Sequence, residues 1–392
     1  MQFFRKLIFL LSSQERKQAC LLLLMILIMG LLDMIGVASI LPFMAVLTDP
    51  NLVETNFILN SMFKISNKFG IENNEQFLFV LGVLVFVLLV VSLAFKALTS
   101  YVQVRFVQMR QYSIGKRLVE GYLNQPYSWF LSRHSADLGK TVLSEINEVV
   151  GGAIAPVMEL IARGTVTILL VSLLIIADPK LAIFVGFSLG GLYGLIYRKV
   201  RKYLNQIGEE RLKSNQLRFT AISEAFGAAK EVKVGGLEEV YIKRFSDPAK
   251  TFARNLASAR VVSQLPRYGL EAIAFGGVML LILYLMSKTG SFNSALPVIS
   301  LYVFAGYRLM PALQQMYNSF TSVTFIGPAV DKLYNDIKNL KPFSYPQDKG
   351  VISLENNISL KNLYYTYPNS SRTILKNLNI NIPARTTVGL VG

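Results

Sequence analysis

Six long apolar runs constrain this chain more than any other feature of its sequence. They lie at Ala19–Leu47, Phe77–Leu98, Val157–Ala177, Leu181–Tyr197, Leu270–Met286 and Ala295–Phe325. A helix needs about 20 mostly apolar residues to cross the hydrocarbon core of a bilayer. Charged residues make up only 16% of the chain, against about a quarter in soluble proteins. The sequence therefore predicts a mostly α-helical membrane protein with six spans.

The connections between the spans alternate between short and long. Asp178-Pro179-Lys180 alone separates the third span from the fourth, and Pro stops the incoming helix, so these two spans are predicted to form an antiparallel hairpin. The connections after the second and fourth spans are far longer than structureless loops in compact proteins. Because their apolar residues recur at near-helical spacing, we expect the spans to continue as helices into water.

Lysine and arginine residues concentrate in the two long connections and explain the formal net charge of +16. Since such residues favour the cytoplasmic side, both connections and both termini are predicted to be cytoplasmic, as expected of a multi-pass protein of the plasma (inner) membrane. The basic residues lie between apolar runs and form no continuous tract, which argues against a nucleic-acid partner.

The chain divides into four predicted segments. Residues 1–17 form an amphipathic helix in the membrane interface, with Phe3, Phe4, Leu7 and Ile8 on one face. Residues 18–330 form the transmembrane domain, which includes a short external amphipathic helix within 48–76. Residues 331–349 form a linker, and residues 350–392 begin a β domain. Its predicted strands are Ile352–Leu354, Ile358–Leu363, Leu378–Ile382 and Thr387–Val391.

Several charged residues fall at or near membrane depth, where they are costly and usually functional. Arg308 interrupts a charge-free stretch, and no acid lies within a helical turn of it. With Lys96 and Arg267 near the inner boundary, it is predicted to form a basic wall suited to a pyrophosphate. Alternatively, Arg267 pairs with Glu271 one turn on, and Lys96 extends to the interface.

Two further charged positions lie along the spans. Asp33 lies midway along the first span. It is consistent with proton coupling, although a hydrogen bond to Ser39 or to a neighbouring helix is the simpler interpretation. Arg163 is predicted to pair with Glu159, one turn before it. The single histidine and single cysteine cannot make a metal site, and no catalytic constellation is evident within the membrane.

The C-terminal residues resemble the start of an ABC exporter nucleotide-binding domain. The strings that carry the resemblance are Leu360-Lys361-Asn362-Leu363-Tyr364-Tyr365-Thr366-Tyr367-Pro368, Ile374-Leu375-Lys376-Asn377-Leu378-Asn379-Ile380-Asn381-Ile382 and Val388-Gly389-Leu390-Val391-Gly392. The resemblance implies that Tyr367 stacks on adenine and that Gly392 opens the phosphate-binding loop. Arg385 departs from the pattern, because it stands where the family has a turn glycine.

The resemblance extends over the membrane part. It implies a first cytoplasmic coupling segment with Pro126, Trp129 and Phe130, and a second with Lys230 and Glu231. It also implies a homodimer that binds ATP and Mg²⁺ when complete. The given sequence ends before the phosphate-binding lysine, the magnesium ligands and the catalytic glutamate, so we expect no ATP hydrolysis by these residues alone.

The resulting hypothesis is an ATP-driven exporter of an amphipathic substrate that works by alternating access in a lipid membrane. Pro266-Arg267-Tyr268-Gly269-Leu270-Glu271 and Tyr307-Arg308-Leu309-Met310-Pro311 resemble strings of the lipid-linked oligosaccharide flippases, which implies a polyprenyl-pyrophosphate-linked oligosaccharide as the substrate. A lipid A-like glycolipid or a peptide is the alternative within the class. Outside it, the alternatives are an ion-coupled secondary transporter, supported by Asp33, and a non-transporting scaffold or sensor.

Overall fold

The computed structural model describes residues 2–50, 53, 57–67, 73–131, 133, 135–177, 179–289, 292–340, 353–367 and 371–389. Its helices are α1 (Gln2–Leu10), α2 (Ser13–Ala38), α3 (Ile40–Thr48), α4 (Phe57–Asn67), α5 (Asn74–Leu123), α6 (Tyr127–Phe130), α7 (Ser135–Lys140), α8 (Ile146–Val149), α9 (Ala155–Ala177), α10 (Pro179–Gly227), α11 (Ala229–Val234), α12 (Glu238–Thr289) and α13 (Phe292–Asn339). Two π-helical turns, Thr141–Glu145 and Val150–Ile154, join α7, α8 and α9 into one long rod.

The long helices confirm that the spans continue well beyond the bilayer. α5, α10, α12 and α13 contain 50, 49, 52 and 48 residues, whereas a span needs about 20. By length and composition, three helical segments of the described chain can cross a membrane: Ser13–Thr48, Asn74–Leu123 and Ala136–Ile176. Asp178, the predicted turn residue, lies outside the described residues, and α10 begins at Pro179 as a helix-initiating proline can.

One apolar core joins the N-terminal helix to the long helices. Its buried side chains include Leu10 on α1, Ile26 on α2, Leu118 on α5, Leu170 on α9 and Leu301 on α13. Other apolar side chains on the same helices are exposed, among them Phe79, Phe86 and Ile168. Exposed apolar faces on helices of this length fit contact with lipid acyl chains.

The N-terminal helix is held against the end of α13. Lys6 pairs with Asp331 at 2.7 Å, and Arg117 of α5 donates to the Leu10 carbonyl oxygen at 2.7 Å. The predicted linker at 331–349 is wrong at its start, because α13 continues to Asn339. Buried Leu333 explains the difference, since it keeps this part of the helix on the core. Residues 341–352 lie outside the described residues.

A small apolar cluster holds the helix expected between the first two spans, which the structure confirms. α4 packs Leu59 against Val46, Phe77 and Leu81, all buried. The Phe63 and Phe77 rings meet edge to face, with centroids 5.3 Å apart. Apolar residues on one face of α4 therefore fix it to the C-terminal end of α3 and the N-terminal end of α5.

The C-terminal part is an antiparallel hairpin of β1 (Asn357–Thr366) and β2 (Thr373–Pro383), with Ile358 opposite Ile382. It contains the second and third predicted strands. The other two are not seen: residues 353–354 and 387–389 are irregular, and 352 and 390–391 lie outside the described residues. A strand needs a hydrogen-bonding neighbour, and within the described chain no strand lies beside 387–389.

Candidate functional site

Three charged side chains converge inside the membrane part, and we call them the membrane cluster: Asp33, Lys96 and Arg308. Asp33 lies on α2 and is almost fully buried, with 1% of its side chain exposed. The Arg308 guanidinium on α13 contacts one carboxylate oxygen, and the Lys96 ammonium on α5 lies 3.9 Å from the other. Ser92, one turn before Lys96, donates a hydrogen bond to Asp33 at 3.0 Å. The cluster therefore holds two cations and one anion.

This geometry corrects the sequence interpretation of Arg308. Arg308 has a carboxylate partner, but that partner comes from the first span instead of from its own helix. Of the two hydrogen bonds expected of Asp33, the one to a neighbouring helix is confirmed; Ser39 donates instead to the Gly36 carbonyl oxygen. Reasoning within one helical turn cannot find such a pair, because it depends on how two distant helices pack.

Arg267 and Arg163 form the local pairs that their spacing predicts. Arg267 lies 2.7 Å from Glu271, and Arg163 lies 2.7 Å from Glu159. Gln103 also donates to Glu159 at 3.0 Å. Among the described residues, no ion pair connects Arg267 to the membrane cluster, so the structure brings together two of the three predicted basic residues.

A polar cavity of about 350 Å³ opens between α5, α9 and α13. We call it the amide cavity, after the amide and hydroxyl side chains that line it: Gln103, Gln108, Gln315, Asn318, Ser319 and Ser322. Gly151, in the second π-helical turn, forms part of its wall. A second cavity of about 360 Å³ shares Gly151, Asn318 and Ser322 with it. Neither cavity was predicted from the sequence, because helices that are distant in the chain supply the polar groups.

The first predicted coupling segment is tightly packed. Pro126 precedes α6, where the Trp129 ring lies 5.3 Å from Tyr122 and 5.1 Å from Phe130. The Arg133 guanidinium covers Trp129 at 4.3 Å. Nearby, burial raises the pKa of the Asp336 carboxyl above its usual value, against the opposing effect of Lys332, Arg133 and Lys140.

The second predicted coupling segment is α11, a short helix that projects two charges. Lys230 and Glu231 are exposed, whereas Val232 is buried and fixes the helix to the rest of the chain. Gly236 follows with φ of 63°, a left-handed conformation that glycine adopts without strain. Exposed, charged side chains on a short helix with one buried anchor fit a docking surface for another domain.

A second set of polar and charged side chains joins the helical extensions, and we call it the cytoplasmic cluster after the side on which these extensions are predicted to lie. It consists of Glu145, Glu148, Arg211, Asn215 and Arg218. Arg211 is fully buried and lies 3.5 Å from both Glu145 and Glu148. Asn215 donates to Glu145 at 2.7 Å, and Arg218 donates to Asn215 at 2.6 Å.

Aromatic rings surround Arg211 within this cluster. The rings of Phe252 and Phe325 lie 6.0 and 5.7 Å from its guanidinium. The cluster was not predicted from the sequence, because its charged residues do not differ in type or spacing from the solvated charges of the long extensions.

The predicted adenine-stacking residue follows the end of β1. Tyr367 is 44% exposed, and its ring packs edge to face on Tyr365 at 5.2 Å. Arg385, at the glycine position of the family turn, has φ of 63° and so adopts the left-handed geometry itself. Gly392 and His134 lie outside the described residues.

The fold defines a class: the membrane half of a transporter with a further domain. It combines long helices that continue from apolar spans, two short helices at their far ends and a following β hairpin. The family described as "ABC transporter transmembrane region" matches residues 20–311. The chain therefore belongs to that family, which confirms the expected resemblance.

A curated relative supports the same family at low identity. It is an ATP-dependent lipid A-core flippase of Cupriavidus pinatubonensis (strain JMP 134 / LMG 1197), 21% identical over 285 residues. The aligned part covers 70% of this chain and 46% of the relative. The chain thus spans about half the length of the curated relative that it matches.

Proposed function

We propose that the complete protein is an ATP-driven, homodimeric exporter of the plasma membrane that flips a polyprenyl-pyrophosphate-linked oligosaccharide or a related glycolipid. The observation that carries the proposal is the membrane cluster, which has one positive charge in excess. Lys96 and Arg308 are half-buried, and an excess charge removed from bulk water is costly unless a ligand or water compensates for it. A phosphate group on a lipid carrier supplies the missing negative charge.

The helical extensions support the part of the proposal that names ATP as the energy source. α5, which carries Lys96, leads into α6, and α10 leads into α11. These short helices offer surfaces on which an ATP-driven domain can act. In this scheme, closure of two such domains moves the helices and switches the access of the cluster from one side of the membrane to the other.

The described residues of the C-terminal hairpin fit the expected nucleotide site in part. The exposed ring of Tyr367 is available to stack on adenine. Arg385 keeps a left-handed turn at the end of β2 despite the missing glycine. When bound, ATP with Mg²⁺ supplies the free energy of transport. Tyr367 would orient the base, and Gly392 would approach the phosphates.

The proposal is tested by flipping assays with the full-length protein in proteoliposomes. We expect Arg308→Ala to reduce flipping of a polyprenyl-diphosphate oligosaccharide about 30- to 150-fold per ATP hydrolysed, because removing a bidentate phosphate ligand costs about 2–3 kcal/mol. Lys96→Ala removes a weaker point-charge contact, so we expect a smaller loss. Arg267→Ala is the matched control, because its guanidinium pairs with Glu271 outside the cluster. Normal flipping by Arg308→Ala would contradict the proposal.

A lipid A-like substrate is the second candidate, and the lipid A-core flippase among the relatives favours it. It also presents phosphates on a sugar-bearing lipid. Competition separates the two: excess lipid A should inhibit flipping of the labelled oligosaccharide lipid only if both use the membrane cluster. Flipping driven by a proton gradient without ATP would instead favour the ion-coupled transporter.

A further inference from the structure

The amide cavity and the membrane cluster lie on the same faces of the same two helices. Gln103 follows Lys96 by seven residues on α5, and Gln315 follows Arg308 by seven residues on α13. Seven residues are nearly two helical turns, so each pair shares a face and is separated by about 10 Å along the axis. The cavity therefore lies about 10 Å from the cluster, toward the helix ends that are predicted to be cytoplasmic.

The two sites differ in the chemistry that they offer. The acid in the wall of the amide cavity, Glu159, is neutralised by Arg163 at 2.7 Å. The remaining polar groups are amides and hydroxyls, each of which can donate and accept hydrogen bonds. The amides of Gln108 and Gln315 are exposed. A charged ligand would lose water here without gaining an opposite charge, whereas a hydroxyl-rich neutral ligand would exchange hydrogen bonds.

We propose that the amide cavity binds the sugar of a glycolipid whose phosphate lies at the membrane cluster. The inference rests on the proposed function and specifies its substrate. A glycolipid in the cytoplasmic leaflet places its tail in the membrane, its phosphate at the boundary and its sugar toward water. The structure repeats this order, with apolar spans, then Lys96 and Arg308, then Gln103 and Gln315.

The size and wall of the cavity suit such a group. Its volume of about 350 Å³ is within the range of ~300–1,000 Å³ for small-molecule sites. A methyl group added at Gly151 would meet no atom within 4 Å. A larger side chain at this position can therefore enter the cavity without displacing the helices, which provides a way to block it.

The test measures binding to the full-length protein in nanodiscs. The two probes are a polyprenyl diphosphate and the same lipid carrying one N-acetylhexosamine. We expect the wild type to bind the sugar-bearing lipid about tenfold more tightly, from two or three hydrogen bonds. The double variant Gln103→Leu/Gln315→Leu and the blocking variant Gly151→Leu should each abolish this preference. Arg308→Ala should weaken both lipids equally.

The control is Gln206→Leu, an exposed amide on α10 outside the cavity, which should keep the preference. The same binding measurement with phosphorylated lipid A shows whether recognition of the sugar of that lipid depends on the same residues. If the wild type binds both polyprenyl lipids equally, or if the variants keep the tenfold ratio, the cavity is not a sugar site and the proposed function stands. If the wild type binds neither polyprenyl lipid nor lipid A, the proposed function fails together with this inference.

Discussion

The membrane cluster and the cytoplasmic cluster are each built around a buried charged side chain, Asp33 and Arg211, but their charge balance differs. The cytoplasmic cluster sets Arg211 and Arg218 against Glu145 and Glu148, and aromatic rings enclose Arg211. The membrane cluster sets two cations against Asp33 alone. A balanced set of charges holds helices together, whereas a set with one charge in excess is suited to a ligand of the opposite charge.

The largest expected effect is the loss of stability when the cytoplasmic cluster is broken. We expect Arg211→Leu to lower the free energy of unfolding by about 3–5 kcal/mol, because it leaves Glu145 buried without a counter-ion. Thermal and denaturant unfolding of the detergent-purified protein would measure it. The double variant Arg211→Leu/Glu145→Leu should recover part of the loss. A double variant less stable than the single one would show that the cluster is not a balanced structural pair.

A somewhat smaller effect is expected near the cytoplasmic cluster, where α10 and α13 approach each other closely. A methyl group at Gly208 on α10 would overlap the carbonyl oxygen of Phe325 on α13. We therefore expect Gly208→Ala to cost about 1–3 kcal/mol of unfolding free energy, because overpacking forces the backbones apart. Gly115→Ala is the control, since its added methyl group would make only an ordinary contact with Ile146. Equal stability of the two variants would contradict a close approach at Gly208.

The comparison also shows which features the sequence could predict. Apolar runs located the spans because hydrophobicity over about 20 residues is a local property. Spacing predicted the pairs Arg163–Glu159 and Arg267–Glu271, because residues four apart meet on one helix. The helical part of 331–339 was missed because its polar composition resembled a linker, whereas buried Leu333 keeps it helical.

The contacts between distant helices could not be predicted in this way. Asp33 meets Arg308 because α2 and α13 pack together, and Arg211 meets Glu145 because a π-helical turn places that acid toward α10. Both pairs depend on helix rotation and register, which a single sequence does not specify. The charged residues of the membrane cluster were therefore predictable from the sequence, but the ion pairs that join them were not.

The smallest expected effect tests whether Asp33 competes with the ligand for the membrane cluster. We expect Asp33→Asn to raise the affinity for polyprenyl diphosphate about tenfold, since Arg308 and Lys96 lose their internal counter-ion. Titration of the labelled lipid in nanodiscs would measure it. The amide oxygen of the substituted side chain should still accept the Ser92 hydrogen bond, so the loss of stability should be smaller than for Arg211→Leu.

The controls separate competition from general changes in charge. Asp331→Asn, at the exposed pair with Lys6, removes an equal charge far from the cluster and should leave lipid affinity unchanged. High salt should weaken lipid binding in both variants but keep the difference between them, because buried pairs are screened less than exposed ones. Unchanged or weaker binding by Asp33→Asn would mean that the carboxylate is part of the ligand site and does not compete with the ligand. The contrast between the two clusters would then lie in their accessibility instead of their charge balance.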